Sequence, residues 1–431
     1  MRLLYLLAAF FFLNSTHAQT WTQLTTTGNI PARANSSMIY HPSENALYVF
    51  GGRTNAGFQN DFWKFDLASN TWSEVLSTGA LPIVRHTQNA VYDATNNEML
   101  IFSGQGSGLF NDVWSFDFDD LSWTERSPNV NGVGLPQKRY GNVTVYDPSA
   151  QRLVVFGGFG DGGTSRQDDT WAFDLMANQW TELLPATHPF RRCLHNGTYV
   201  PGRELMVIYG GQSGNREDIW TFDLATNSWT ERMPITKPPG RHFCSITAVN
   251  EDQLYLFAGN GAGQNNFSGG LNDLWRFSLA DDSWTQILAI NTLPQRRVGH
   301  CAVFLPNSNQ LLIFGGNATN GSFLDDIWVF EDLTTSVDQE ALAQEIEIKW
   351  QSANPFSDQL AFNLSLDRPM SLQINLVNVE GKSSYAFGRH ELGVGQHDFS
   401  ASTSDLSAGN YFLQIATMDG LMLKTIKLMK Y

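Results

Sequence analysis

The chain has 431 residues, too many for one ordinary hydrophobic core, so two or more domains are expected. Hydrophobic residues make up 42% and charged residues 16%, which excludes an intrinsically disordered chain. The formal net charge of −15 makes nucleic acid and anionic membrane surfaces poor partners. With 13 Trp, 29 Phe and 37 Gly, the composition points to short strands and many tight turns, an all-β architecture.

The chain begins Met1-Arg2, followed by the apolar run Leu3 to Leu13 and then Thr16-His17-Ala18. A basic start, a short apolar run and a small-x-small end read as a secretory signal peptide over residues 1–18. The run is too short to span a bilayer, no Cys follows it to carry a lipid, and no later stretch reads as a membrane span. The three cysteines, Cys193, Cys244 and Cys301, are odd in number and lack a CxxC spacing, so they read as buried free thiols rather than a disulfide framework.

From residue 20 onward the dominant signal is repetition. An aromatic-Gly-Gly element closes a short apolar run at Phe50-Gly51-Gly52, Phe156-Gly157-Gly158, Tyr209-Gly210-Gly211 and Phe314-Gly315-Gly316. Degenerate copies stand at Phe102-Ser103-Gly104 and Phe257-Ala258-Gly259. Each reads as a buried strand ending where the backbone needs positive φ or close approach. An acidic-x-Trp-x-Phe element follows around Trp63, Trp114, Trp171, Trp220, Trp275 and Trp328. A second Trp comes nine residues later at Trp72, Trp123, Trp180, Trp229 and Trp284, after a turn-like Asp-Leu-x-x-Asn. The sixth repeat has Val337 in place of its second Trp, while Trp21-Thr22-Gln23-Leu24 has no upstream partner. The expectation is closure, with the N-terminal strand completing the last repeat and leaving no exposed sheet edge.

These elements, at roughly fifty residues per unit, resemble kelch repeats over about residues 20–335. The resemblance implies a six-bladed β-propeller of four-stranded antiparallel blades around a central channel. Within each repeat an Arg (Arg33, Arg85, Arg139, Arg192, Arg241, Arg297) precedes the Gly-Gly aromatic by 17 residues, or 16 in the fifth repeat. This spacing and the Trp-to-Trp distance hold almost constant. The distance from the Gly-Gly aromatic to the next Trp runs from 11 to 18, and that from the second Trp to the next Arg from 12 to 16. With strands lettered a to d, the constant distances span the a–b and c–d hairpins. The variable ones span the b–c and d–a loops, which open on one side and are the expected ligand face.

Two constellations sit beside that face. The six repeat arginines form a candidate cationic collar for carboxylate or sulfate groups, or else hold the loops through backbone carbonyls, and Arg53 in the first b–c loop is a further ligand-binding candidate. His195, Cys244 and His300 share one repeat position and are the outside candidates for a metal, against ordinary bridging between blades. No cofactor is expected. Galactose oxidase and the bacterial sialic-acid mutarotases share the kelch architecture; the two His, two Tyr and Cys–Tyr crosslink of the former do not assemble here, while the latter stay open, with no motif to carry over residue by residue. No Gly-rich phosphate loop, HExxH or GxSxG occurs.

After Asp332 the repeat pattern stops. Residues 336–344 read as a linker and 345–431 as a small β-sandwich with alternating strands. The segment resembles the type A sorting domain of the type IX secretion system of Bacteroidota. The landmarks are Asn354-Pro355-Phe356, Glu380-Gly381-Lys382, the run through Gly409-Asn410-Tyr411-Phe412, and a Lys-rich last strand with Lys427. It departs from that pattern with Ala353 before Asn354-Pro355 and Glu380 opening the central turn. The resemblance implies a protein carried through the periplasm to the medium or cell surface by the secretion machinery. The expected function is a binding module for a glycan or protein. The alternative is a carbohydrate-active enzyme, a sugar-acid mutarotase or epimerase or a galactose-oxidase-like enzyme, working at the channel mouth.

Overall fold

The structure is a computed structural model of the chain. It describes residues 19–161, 165–214, 216–261, 269–289, 291–332, 346–352, 354–367, 369–378, 383–417 and 422–431. The signal-peptide and linker expectations therefore lie outside the described residues, as do Gly381 and Ala353. The protein is all-β, with no α-helix among the described residues and no helix long and apolar enough to cross a membrane. One compact unit spans Gln19–Glu331, and the strands from Ile346 onward belong to another.

In the first unit a four-stranded antiparallel meander recurs. Its first copy consists of Ser37–His41, Ala46–Thr54, Gly57–Asp66 and Thr71–Glu74, paired in sequence order as strands a to d. The second, beginning at Asn89–Asp93, and the fourth, beginning at Asn196–Val200, repeat it. The third, fifth and sixth add a two-residue strand at the repeat Arg, and Arg297–Val298 pairs both its own b strand and Leu271 of the preceding copy. The sixth copy takes its outer strand from Gln19–Gln23, which pairs with Phe323–Asp332. Leu24 donates its N–H to Ile327 O at 2.9 Å, and the Asn291 amide brackets Trp21 by bonding both its N–H and its carbonyl.

Local chemistry explains the hairpins. The carboxylates of Asp66, Asp174 and Asp223 accept from backbone N–H groups two or three residues on, and Asn70, Asn178 and Asn227 take the left-handed conformation that closes each c–d turn. The apolar b strands are the most deeply buried elements; Val49, Phe50, Ile101, Phe102, Val155 and Phe156 are fully covered. The second Trp of each repeat packs on the Phe two residues after the first, as in Phe65–Trp72 at 4.8 Å between ring centroids. It also packs on the Gly-Gly aromatic of the preceding copy: Trp123 on Phe50, Trp180 on Phe102, Trp229 on Phe156 and Trp284 on Tyr209. The series runs on through Trp21 on Phe257 and Trp72 on Phe314, so the last copy packs on the first. The a strands follow the same cycle, each neighbouring the next and the sixth neighbouring the first.

The C-terminal unit has a three-stranded sheet (Ile346–Trp350, Gln359–Leu366, Gly395–Ser402) and a four-stranded sheet (Ser383–Leu392, Met370–Asn378, Gly409–Thr417, Met422–Lys430). Period-two alternation puts Leu360, Phe362, Leu364 and Leu366 of one, and Leu372, Ile374 and Leu376 of the other, into a single core. Residues 354–356 lie along the last strand: Phe356 exchanges backbone bonds with Met429 and Tyr431, and Asn354 Oδ1 accepts from Met429 N. Pro355 follows a cis peptide bond. Buried Tyr411 donates its hydroxyl to Ser407 O, Gly409 pairs with Lys430, and Lys427 is exposed.

Candidate functional site

The repeat motifs converge in each copy of the meander. Arg33 lies fully buried, its Nη1 and Nη2 forked onto the two carboxylate oxygens of Asp61 at 2.8 and 2.7 Å. Its Nη1 also donates to Gly51 O and its Nε to Pro31 O. The Asp61 carboxylate accepts in turn from Trp63 Nε1 at 2.7 Å. The same node joins Arg85, Asp112 and Trp114, and it recurs at Arg139–Asp169, Arg192–Asp218, Arg241–Asp273 and Arg297–Asp326. Burial pushes the Asp218 and Asp273 carboxyls up, but the hydrogen bonds from Arg192 and Arg241 outweigh it and hold both below the usual carboxylate range.

The cationic collar is therefore corrected: these six guanidinium groups are bound to carboxylates and carbonyls of their own sheets and offer no face to a ligand. Each fork fixes the mouth of the b strand, where the chain must turn through two positive-φ positions. The first of the pair is Gly51, Ser103, Gly157, Gly210, Ala258 or Gly315, with φ between 53° and 72°. This left-handed range admits Ser and Ala at a strain cost. The second is always Gly, with φ between 97° and 115°; a Cβ on Gly259 would stand 2.7 Å from Cys244 Cβ.

The metal candidates sit one step further in. His300 Nε2 bonds Ser245 Oγ at 2.9 Å, across to the preceding copy. Gln88 and Asn142, at the same repeat position, bond back to Phe50 O and Asn89 Oδ1 in the same way. Burial lowers His300 to about 3, and burial with the Arg192 charge holds His195 well below the ordinary imidazole value. Burial raises the free thiol of Cys244 to about 12. No group of three His, Cys, Asp or Glu close enough to hold a metal occurs among the described residues. Gln88, Asn142 and His300 thus bridge neighbouring sheets at this position, whereas both ring nitrogens of His195 are buried without a hydrogen-bond partner among the described residues.

The exposed chemistry lies in the b–c and d–a loops. Arg53, alone among the candidate arginines, is exposed; its guanidinium lies 6.0 Å from the Phe58 ring, and that ring stacks on His86 at 4.6 Å. A second exposed group lies where the third and fourth copies meet, with Arg191 Nε 3.7 Å from Asp168 Oδ2 of the third copy. Phe190, 53% exposed, stands 4.4 Å from the Arg216 guanidinium and 6.0 Å from that of Arg191. Tyr140 and Phe159 pack beside each other at 5.3 Å. Phe190 and Arg191 escape a reading by motif because they belong to no repeat element. The signal was an aromatic two residues before Arg192, where the other copies have Pro31, Ile83, Gln137, Pro239 and Gln295.

A profile described as the KLHDC2/KLHL20/DRC7 Kelch-repeats domain matches residues 7–125, 55–259 and 252–393. Among curated proteins, the chain is similar to a leucine-zipper-like transcriptional regulator 1 homolog of Drosophila melanogaster, 25% identical over 74% of this chain and 33% of that protein. It is also similar to Mei4-dependent protein 6 of Schizosaccharomyces pombe, 24% identical over 70% of this chain and 48% of that protein. An F-box/kelch-repeat protein of Arabidopsis thaliana is 25% identical over 73% of this chain and 67% of its own length. The chain thus spans a third to about half the length of the first two relatives, and all three are eukaryotic.

Proposed function

The chain belongs to the kelch-repeat family, and from that premise we propose that it is a binding module in which a six-bladed β-propeller recognises a protein through its b–c and d–a loops. The cyclic packing of Trp on Gly-Gly aromatic supports the six-bladed reading, because each sheet then has a neighbour on both faces. The observation that carries the binding reading is Phe190, held exposed between Arg191 and Arg216 where two loops meet. An aromatic flanked by guanidinium groups on a rigid base is the composition of an interface hot spot. The framework arginines stay in the sheets, so binding is left to the residues that vary between copies.

The C-terminal β-sandwich directs secretion across the outer membrane in this reading. Its support is the signal-peptide-like start, the sorting-domain landmarks and the strap from Asn354 to Phe356 that secures the last strand. Photo-crosslinking tests the binding reading. A benzophenone side chain at Phe190 should trap one discrete protein in the native host, and the same group at Met176, on the exposed c–d turn of the opposite side, should trap none. Trapping at both positions or at neither overturns it. Deleting residues 346–431 should leave a folded repeat unit in the periplasm; normal export of the truncated chain sinks the sorting assignment.

A further inference from the structure

The six a strands surround a chamber of about 520 Å³, and its lining differs in kind from the loop face. Near one end, backbone hydrogen bonds link all six copies. Asn35 N donates to Gly299 O, Gly299 N to Phe243 O, Phe243 N to Leu194 O, Leu194 N to Gly141 O, Gly141 N to Thr87 O, and Thr87 N to Asn35 O. This is a closed ring of six amide hydrogen bonds, one residue from each copy, and all six residues have φ between 54° and 63°. The ring lies at the start of the a strands, toward the loops. The chamber extends from it toward the a–b hairpins.

At the hairpin end one repeat position, seven residues after each framework Arg, carries Tyr40, Tyr92, Tyr146, Tyr199 and Phe304, with Ala248 leaving a gap in the fifth copy. The four tyrosines line a mouth of about 410 Å³ that shares Tyr40, Tyr92 and Tyr199 with the chamber. Inside, the lining includes Ser37, Asn89, Thr144, Asn196, Ser245 and Thr247, and no Asp, Glu, Lys or Arg. Several of these groups have hydrogen-bonding capacity left over among the described residues. Asn89 and Asn196 use their carbonyl oxygens, toward Asn142 Nδ2 and Ile246 N, while their amide hydrogens have no protein partner. Gln88 Oε1 and His300 Nδ1 are buried without one.

We propose that this chamber is a binding site for a neutral saccharide, entered from the hairpin side. A charged ligand would lose its hydration with no counter-charge to meet it. A wholly apolar ligand would leave the amide and hydroxyl groups unsatisfied. A neutral sugar answers both demands, with hydroxyls for Asn89, Asn196 and Thr247 and C–H faces for the tyrosine rings. The volume falls in the range of small-molecule sites. The site opens at the other end of the a strands from Phe190 and does not depend on the partner proposed there.

The test uses the full chain with D-glucose, D-galactose, N-acetyl-D-glucosamine and maltose as probes, read by saturation-transfer NMR and by titration. At least one neutral sugar should bind, and D-glucuronate should not. Thr247→Val and Asn89→Leu should each weaken the bound sugar about tenfold, with Thr247→Val keeping its melting temperature in the absence of sugar. Absence of binding by every neutral sugar at tens of millimolar would mean that the chamber holds water alone and would overturn the proposal. So would glucuronate binding equal to that of the neutral sugars, or sugar binding that survives both substitutions and disappears in Phe190→Ala.

Discussion

Two sets of arginines occupy the same side of the repeat unit and do opposite things. Arg33, Arg85, Arg139, Arg192, Arg241 and Arg297 are wholly buried and forked onto carboxylates, while Arg53, Arg191 and Arg216 reach the surface beside Phe58 or Phe190. The difference lies in what is left to bind. A buried guanidinium already bonded to a carboxylate and two carbonyls fixes a loop mouth. Arg191 and Arg216, by contrast, make only long ion pairs among the described residues, 3.7 Å to Asp168 and 4.0 Å to Asp218, and keep donors for a partner. Position in the repeat, rather than residue type, separates scaffold from surface.

The comparison breaks most visibly at the node. Arg85→Leu strands the Asp112 carboxylate, which is almost fully buried, and should cost about 3–5 kcal/mol in urea unfolding. Arg139→Leu should cost less, because Asp169 keeps 20% exposure to water. If the two variants lose equal stability, burial of the carboxylate is not what gives the node its weight.

Acid probes the bridging position behind the node. His300 titrates near 3 in the folded chain because burial opposes its charge, against an ordinary value of about 6.5 unfolded. Above that ordinary value neither state binds the proton. As pH falls through it, the unfolded chain takes up a proton that the folded one refuses, so stability drops until His300 itself protonates. At pH 5 this one residue should cost about 2 kcal/mol relative to neutral pH. His300→Gln should flatten the curve between pH 7 and 4 by one proton's slope. An unchanged slope would mean that His300 is not held neutral.

The Gly-Gly pair separates its two positions more finely. Gly259→Ala, at φ +98° and against Cys244, should cost about 1–3 kcal/mol. Ala258→Gly, at φ +53°, should shift stability by less than about 1 kcal/mol. The smallest effect on folding belongs to the loop face. Phe190→Ala and Arg216→Ala should move unfolding by no more than about 0.5 kcal/mol while weakening the partner at least tenfold. Large destabilisation by either would return these residues to the scaffold.

Much of this architecture is legible along the chain because its signals are side-chain types at fixed spacing. The aromatic-Gly-Gly and Trp elements mark where b strands end and c–d hairpins lie, since the second positive-φ position is Gly in all six copies and a large ring fills the space between neighbouring sheets. The orphan Trp21 pointed to Trp328 because a repeat lacked its second Trp. The framework arginines were equally visible, as was a role in holding the loops through backbone carbonyls, but their carboxylate partners were not. Each Arg meets an Asp that lies 26 to 32 residues further on, across the b–c loop whose length varies between copies, so no constant spacing announces the pair.

Sequence alone determined the all-β class, the repeat count and the residues at each repeat position, because steric demands at strand ends and hairpin turns are local. Tertiary structure decided which of those residues face inward. The ring through Asn35, Thr87, Gly141, Leu194, Phe243 and Gly299 shows the limit: six residues of five types share one conformation and one job. Their bonds run between backbone groups of neighbouring copies, and a backbone bond leaves no mark on side-chain identity.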